Sequence, residues 1–241
     1  MRARQRKSTQ PHFPSVPYDQ VPAFFTTLCQ KKCISSQALR FLILTGARTS
    51  EVLNATWNEI DLRRRTWTIH ADRMKSNKQH CVPLSNQAIS LLRSLPYQKN
   101  CPYLFPSPQK KEEETSKPLS GMALLQLLRN MGYTRKGPKP HCVPHGFRGS
   151  LRTWLTEVTD CSYEVAEKIL AHTIPTPLYD AYQKGDILDK RRYFMQQWGD
   201  HCTEEGPEVV GGYGLPTSAH EPAPPRRRTL NASRELLFLV E

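Results

Sequence analysis

The sequence predicts a mainly α-helical fold carrying a small antiparallel β-sheet, an α+β domain. Apolar residues recur at helical spacing along most of the chain between Tyr18 and Trp198, and the period shortens to that of strands only between Trp57 and Ser85. Composition then sets the limits. Residues 1–13 form a basic arm or linker, residues 14–202 form the one segment able to bury a sizeable core, and residues 203–241 are a Pro/Gly-rich tail that reads as disordered.

The chain carries 34 Lys and Arg against 22 Asp and Glu, a net charge of +12. A soluble chain this basic usually has a polyanion as its partner, and nucleic acid leads that class. Seven cysteines, an odd number with no CxxC pair, suggest reduced thiols rather than a disulfide framework. The first residues lack the apolar core of an export signal, and no apolar run approaches the ~18 residues of a membrane span. The expectation is a cytoplasmic protein, associated with the nucleoid if DNA is its partner, and with no membrane contact.

Taken in order, the arm carries Arg2, Arg4, Arg6 and Lys7 among prolines and either guides a polyanion or does nothing. A first helix places Val21, Phe24, Phe25 and Leu28 on one face, and a second, with Ser35 and Ser36 as capping residues, carries Leu39, Leu42 and Ile43. It ends in Thr45-Gly46-Ala47-Arg48-Thr49-Ser50-Glu51, where Gly46 suits a left-handed stop and Thr49 or Ser50 suits the next cap. Arg48 on that corner can reach an oxyanion while Glu51 holds its guanidinium. A surface ion pair would give the same pattern.

Trp67 and Ile69, then Cys81 to Leu84, read as strands joined by a loop with Arg73, Lys75 and Lys78 at its tip. Those cations either enter a DNA groove beside a phosphate or form a solvated hairpin tip. Ser85 caps a helix carrying Ile89 and Leu92, the run 97–117 is a loop, and a helix over 119–131 is closed by Gly132. Arg135, Lys136 and Lys139 then form a basic, irregular lead suited to DNA phosphates.

The lead enters the stretch around which the chain is organised, residues 139–183. His145 and Arg148 stand three residues apart at the start of a helix running over 146–159, so one face offers a proton acceptor and a phosphate ligand together. Ser162 caps a further helix that delivers His172 just past its end, a proline-broken segment leads to Tyr179 and Tyr182, and Asp186 suits the cap of a last helix through Phe194 and Trp198. A metal site built from His141, Cys142, His145 and His172 is a rival reading. It lacks HExxH or paired-cysteine spacing.

The set TGARTSEVL, a lysine on a hairpin, HGFR, LAH and a tyrosine ten residues after His172 resembles the tyrosine recombinases, the phage integrase family, from about Pro14 to Cys202. The run AYQKGDILDKRRYFMQQWGDH looks most like integrases of prophages and genomic islands. The resemblance implies a tyrosine recombinase catalytic domain in which Tyr182 attacks a scissile phosphate to form a 3′-phosphotyrosyl link. It also implies that His172 bonds the phosphate beside Arg148 and that Glu51 supports the site. Tyr179 lies seven residues after His172 and reads as packing, whereas Tyr182 directly precedes Gln183-Lys184-Gly185-Asp186, which resembles the family pattern.

Elementary chemistry agrees. Planar guanidiniums of Arg48 and Arg148 match the nonbridging oxygens of a phosphodiester. A tyrosine hydroxyl, with an unperturbed pKa of ~10, needs a base or strong positive potential to attack at neutral pH, and His145 is the candidate base. Lys75, ahead of Lys78, is the candidate acid for the departing 5′ oxygen. Because the covalent intermediate keeps the bond energy, no metal, nucleotide or other cofactor is expected.

The implied partner is double-stranded DNA, with a tetramer on DNA and an accessory DNA-bending protein as further expectations. Family members usually carry an N-terminal core-binding domain, and here only a basic arm precedes the catalytic segment, so weaker, salt-sensitive binding is expected. Two other activities fit the same residues: a non-catalytic DNA-binding remnant of an integrase, and a type IB topoisomerase that relaxes DNA without exchange.

Overall fold

The computed structural model describes residues 13–98, 100–108, 116–172 and 187–204. All of them belong to the first of two compact units, Met1–Glu208, while the second, Val209–Glu241, lies wholly outside the described residues. The architecture is mainly helical with one small sheet: eight α-helices and three strands among the described residues.

The core is built on α2 (Ile34–Thr45), whose Ala38, Leu39, Phe41, Leu42, Ile43 and Leu44 are all buried. A helix apolar on nearly every side must be surrounded. It packs against α1 (Val21–Cys29), α4 (Asn86–Ser94), α5 (Ala123–Asn130), α6 (Gly146–Glu157) and α8 (Leu188–Thr203). Trp198 of α8 is fully buried and donates its indole N–H to Ile43 O at 2.8 Å. The expected caps of α2 are corrected by the structure. Cys33 occupies the N-cap position, and the Ser36 hydroxyl sits inside the first turn, donating to Lys31 O at 2.6 Å with Leu28 O at 3.2 Å.

Gly46 ends α2 as its sequence context implies, at φ 62°, with its N–H on Leu42 O at 2.9 Å. A Cβ there would also lie 2.5 Å from Leu151 Cδ2, so conformation and packing both require glycine. The next helix, α3 (Thr49–Leu53), is capped differently from expectation: Arg48 holds the N-cap position instead of Thr49 or Ser50, and its backbone N–H donates to Glu51 Oε2 at 2.7 Å.

The sheet is antiparallel in the order β1 (Ile60–Asp61), β2 (Thr66–Ile69), β3 (His80–Pro83), with Trp67 opposite both Ile60 and Val82. β1 is too short to show a period in sequence. Trp67 and Ile69 are fully buried, and the Trp67 ring lies 5.2 Å from that of Phe41, which seats the sheet on α2. Ser85 and Ser162 cap α4 and α7 (Tyr163–Ile169) as expected, accepting from Ala88 N at 3.3 Å and Val165 N at 3.4 Å. α5 is shorter than its periodicity suggests. α8 has Ile187 at its N-cap, and Asp186 lies outside the described residues.

Residues 13–16 strap across the start of α6. Pro14 O accepts from Val143 N at 3.1 Å, and Ser150 Oγ donates to Val16 O. A Cβ on Gly146 would lie 2.0 Å from Pro14 O, so only glycine lets the strap lie this close. Among the described residues, no helix is long and apolar enough to cross a membrane.

Candidate active site

Three backbone segments meet at one point: the α2–α3 turn, the first turn of α6 and the residues just after α7. Arg148, near the start of α6, is only 5% exposed, and its guanidinium donates to Gly46 O, to Leu170 O at 2.7 Å and towards His172 Nε2 at 3.1 Å. A single planar group thus joins all three segments, which a lysine with its one nitrogen could not do. Burial, with the neighbouring Arg48 charge, pushes its pKa down to about 10, while Glu51 and Glu167 act in the opposite direction.

Arg48 belongs to the same cluster. Its Nη1 pairs with Glu51 Oε1 at 2.8 Å and its Nη2 donates to Ala171 O at 3.2 Å. The pair is no surface ornament, because the Glu51 side chain is 3% exposed and accepts from both the backbone and the guanidinium of Arg48. His145, at the N-cap of α6, has its pKa lowered by burial first and then by the charges of Arg148, Arg48 and His172, with Glu51 opposing. A neutral imidazole beside two guanidiniums can accept a proton. The Phe13 ring stands edge-on to it at 4.6 Å.

Beside the cluster opens a cleft of about 610 Å³, lined by Arg48, Ser50, Asn54, Leu119, Gly121 and His145 among others. His172 reaches the cluster through Arg148, and its other ring nitrogen, Nδ1, lies 2.6 Å from Glu167 Oε2. Ala171, at φ 50°, turns the chain so that His172 N–H returns to Glu167 O at 2.9 Å.

Of the residues singled out in sequence, Arg48, Glu51, His145, Arg148 and His172 are brought together. Tyr182 and Tyr179 lie outside the described residues. Lys75 and Lys78 stand exposed on the β2–β3 loop, and Arg135, Lys136 and Lys139 are exposed between α5 and α6, Lys139 with its ammonium 4.9 Å from the centre of the Tyr133 ring.

Arg73 departs from its expected place at a DNA-facing tip. Its guanidinium turns inward, pairing with buried Glu59 and donating to Glu51 O at 2.6 Å. Charge counting could not foresee this, because the partner Glu59 lies on the far side of β1 and β2 in sequence. The inward turn ties the loop that carries Lys75 to the Arg48–Glu51 pair. Among the described residues, no three His, Cys, Asp or Glu side chains gather as metal ligands, and burial pushes the Cys142 thiol up to about 12.

Neither Glu167 nor Arg152 was singled out from the sequence. The one available signal was a carboxylate five residues before a histidine that follows a helix end.

A profile of the phage integrase family matches residues 15–184. Prophage integrase IntZ of Escherichia coli K12 is 34% identical over 203 residues, covering 83% of this chain and 47% of IntZ. The integrase of Shigella phage Sf6 is 32% identical over 198 residues, covering 80% of this chain and 49% of the phage protein. The chain spans about half the length of the curated relatives it matches. The fold is like that of the Tn1549 transposon integrase solved in complex with transposon right end DNA, with a TM-score of 0.52 and 18% identity over 79% of this chain and 67% of that one.

Proposed function

We infer that this chain, which belongs to the phage integrase family, acts as a site-specific recombinase that cuts and rejoins double-stranded DNA through a phosphotyrosine. The observation that carries this reading is the meeting of two guanidiniums and two imidazoles, Arg48, Arg148, His145 and His172, where three segments join beside an open cleft. Transfer of a phosphodiester needs positive, planar donors around its nonbridging oxygens as charge develops there.

Tyr182 is the proposed nucleophile, on its sequence position ten residues after His172. Its phenolic oxygen attacks phosphorus and its proton passes to His145. The bond to the 5′ oxygen breaks, and that oxygen takes a proton from Lys75. The product is a 3′-phosphotyrosyl link and a free 5′ hydroxyl. Attack by the 5′ hydroxyl of a second strand reverses the step, so the energy of the broken bond is conserved and no cofactor is consumed. Arg48 and Arg148 hold the phosphate, His172 adds a hydrogen bond to it, and Glu51 keeps Arg48 in place.

Arg135, Lys136, Lys139 and Lys78 supply contacts to the DNA backbone. Exchange between two sites requires several copies on DNA, which makes self-association and a DNA-bending accessory protein the expected partners, acting on the nucleoid.

The test is incubation with a pool of nicked suicide duplexes of varied sequence. An adduct that survives denaturation and vanishes in Tyr182→Phe supports the reading. Stable binding with no adduct would leave a DNA-binding protein, and relaxation of supercoiled plasmid without exchange would mark a topoisomerase.

A further inference from the structure

Glu167 is a buried carboxylate for which the proposed reaction has no use. It is 9% exposed, and both of its oxygens are engaged: Oε2 with His172 Nδ1 at 2.6 Å, and Oε1 with Arg152 Nε at 2.8 Å. Arg152 is itself fixed, donating to Thr156 Oγ1 and lying 5.3 Å over the Tyr163 ring. The carboxylate therefore cannot rotate freely.

On the other side of the imidazole, Nε2 faces Arg148 Nη2 at 3.1 Å. A guanidinium nitrogen only donates, so Nε2 must present its lone pair there and the ring proton must sit on Nδ1, where Glu167 accepts it. The two contacts agree on one tautomer. The backbone reinforces it, because the left-handed Ala171 folds His172 N–H back to Glu167 O at 2.9 Å, holding the ring against the end of α7.

We propose that Glu167, braced by Arg152, is a positioning residue that fixes the His172 proton on Nδ1 and aims Nε2 at the phosphate held by Arg148. The proposal deepens the recombinase reading and rests on its placing of His172 beside the scissile phosphate. With a phosphate oxygen in place, Nε2 must carry a proton to donate to it, and a carboxylate behind the ring keeps its Nδ1–H bond while that proton is added, so the donation is charge-assisted. A Gln there, with its NH2 turned to Nδ1, permits only a weaker neutral Nε2–H donor.

Glu167→Gln separates this from a packing role, because it keeps the shape and changes one set of donors. Arg152 can only donate, so the Gln carbonyl must face Arg152 and its NH2 must face Nδ1, which drives the ring proton to Nε2. In 15N-labelled protein at pH 8, long-range proton–nitrogen spectra should show the Nδ1–H tautomer of His172 in the wild type and the Nε2–H tautomer in E167Q. Covalent adduct formation on the suicide duplexes should fall about 10- to 100-fold in E167Q, with DNA affinity held within about 2-fold, a split that loss of packing would not give.

An Nε2–H tautomer in the wild type, or an E167Q adduct rate equal to wild type, would overturn the proposal. The wild-type spectrum decides even if the variant fails to fold. If the wild type forms no adduct, the recombinase reading falls, while the spectra still judge the positioning claim.

Discussion

At the scale of single residues, Arg148 acts twice, as the proposed phosphate ligand and as the pin that satisfies two backbone carbonyls, Gly46 O and Leu170 O. Arg148→Lys keeps the charge but cannot reach both carbonyls and His172 at once. It should lower stability by about 1–3 kcal/mol through the carbonyl left unpaired, read by denaturant unfolding. Adduct formation should fall further than that loss explains. His145 gives a prediction in pH. Its pKa in the folded protein lies below the usual ~6.5, so between the two values the unfolded chain binds the proton more readily and stability falls as pH drops through that window. Above ~6.5 the contribution is flat. As the proposed base, His145 should keep adduct formation active below the usual histidine range, and His145→Gln should abolish that acid limb in a pH–rate profile. The sequence made these residues legible because their types and spacing are tied to the chemistry. Glu167 stayed hidden because its meaning depends on Arg152 and His172, which only the α6–α7 packing brings to it.

At the scale of elements, the α2–α3 turn is where fold and site share atoms. Gly46→Ala places a Cβ against Leu151 in a left-handed conformation, at a cost of about 1–3 kcal/mol. A melting point several degrees lower should show it, and Gly46→Asn, which tolerates the conformation better but not the clash, should recover little. The β2–β3 loop gives a second element-level prediction. Arg73→Met removes the tie to Glu51 O and leaves Glu59 without its cation, so the loop should become more open to limited proteolysis and Lys75 less precisely held. Helix existence was readable from apolar period throughout, and so were the caps at Ser85 and Ser162. Caps at α2 and α3 were not, because several candidate residues adjoin each start and tertiary contacts choose among them. Ser36 is drawn to the carbonyls that end α1, and Arg48 is held at its cap by Glu51.

At the scale of the whole molecule, the net charge of +12 belongs to the proposed partner more than to the fold. Binding to DNA should weaken steeply with salt. Replacing Arg135, Lys136 and Lys139 together by alanine should flatten the slope of log K against log salt by about 0.9 for each phosphate that is no longer neutralised, with little change in melting point. A triple variant with an unchanged slope would remove this face from the DNA interface. The strap of residues 13–16 bears on how the protein is handled. The Phe13 ring stands edge-on to the His145 imidazole, so the strap covers one side of the proposed base. A small fluorophore put in place of Phe13 would therefore lie against that base, and its emission should change when a phosphate enters the cluster.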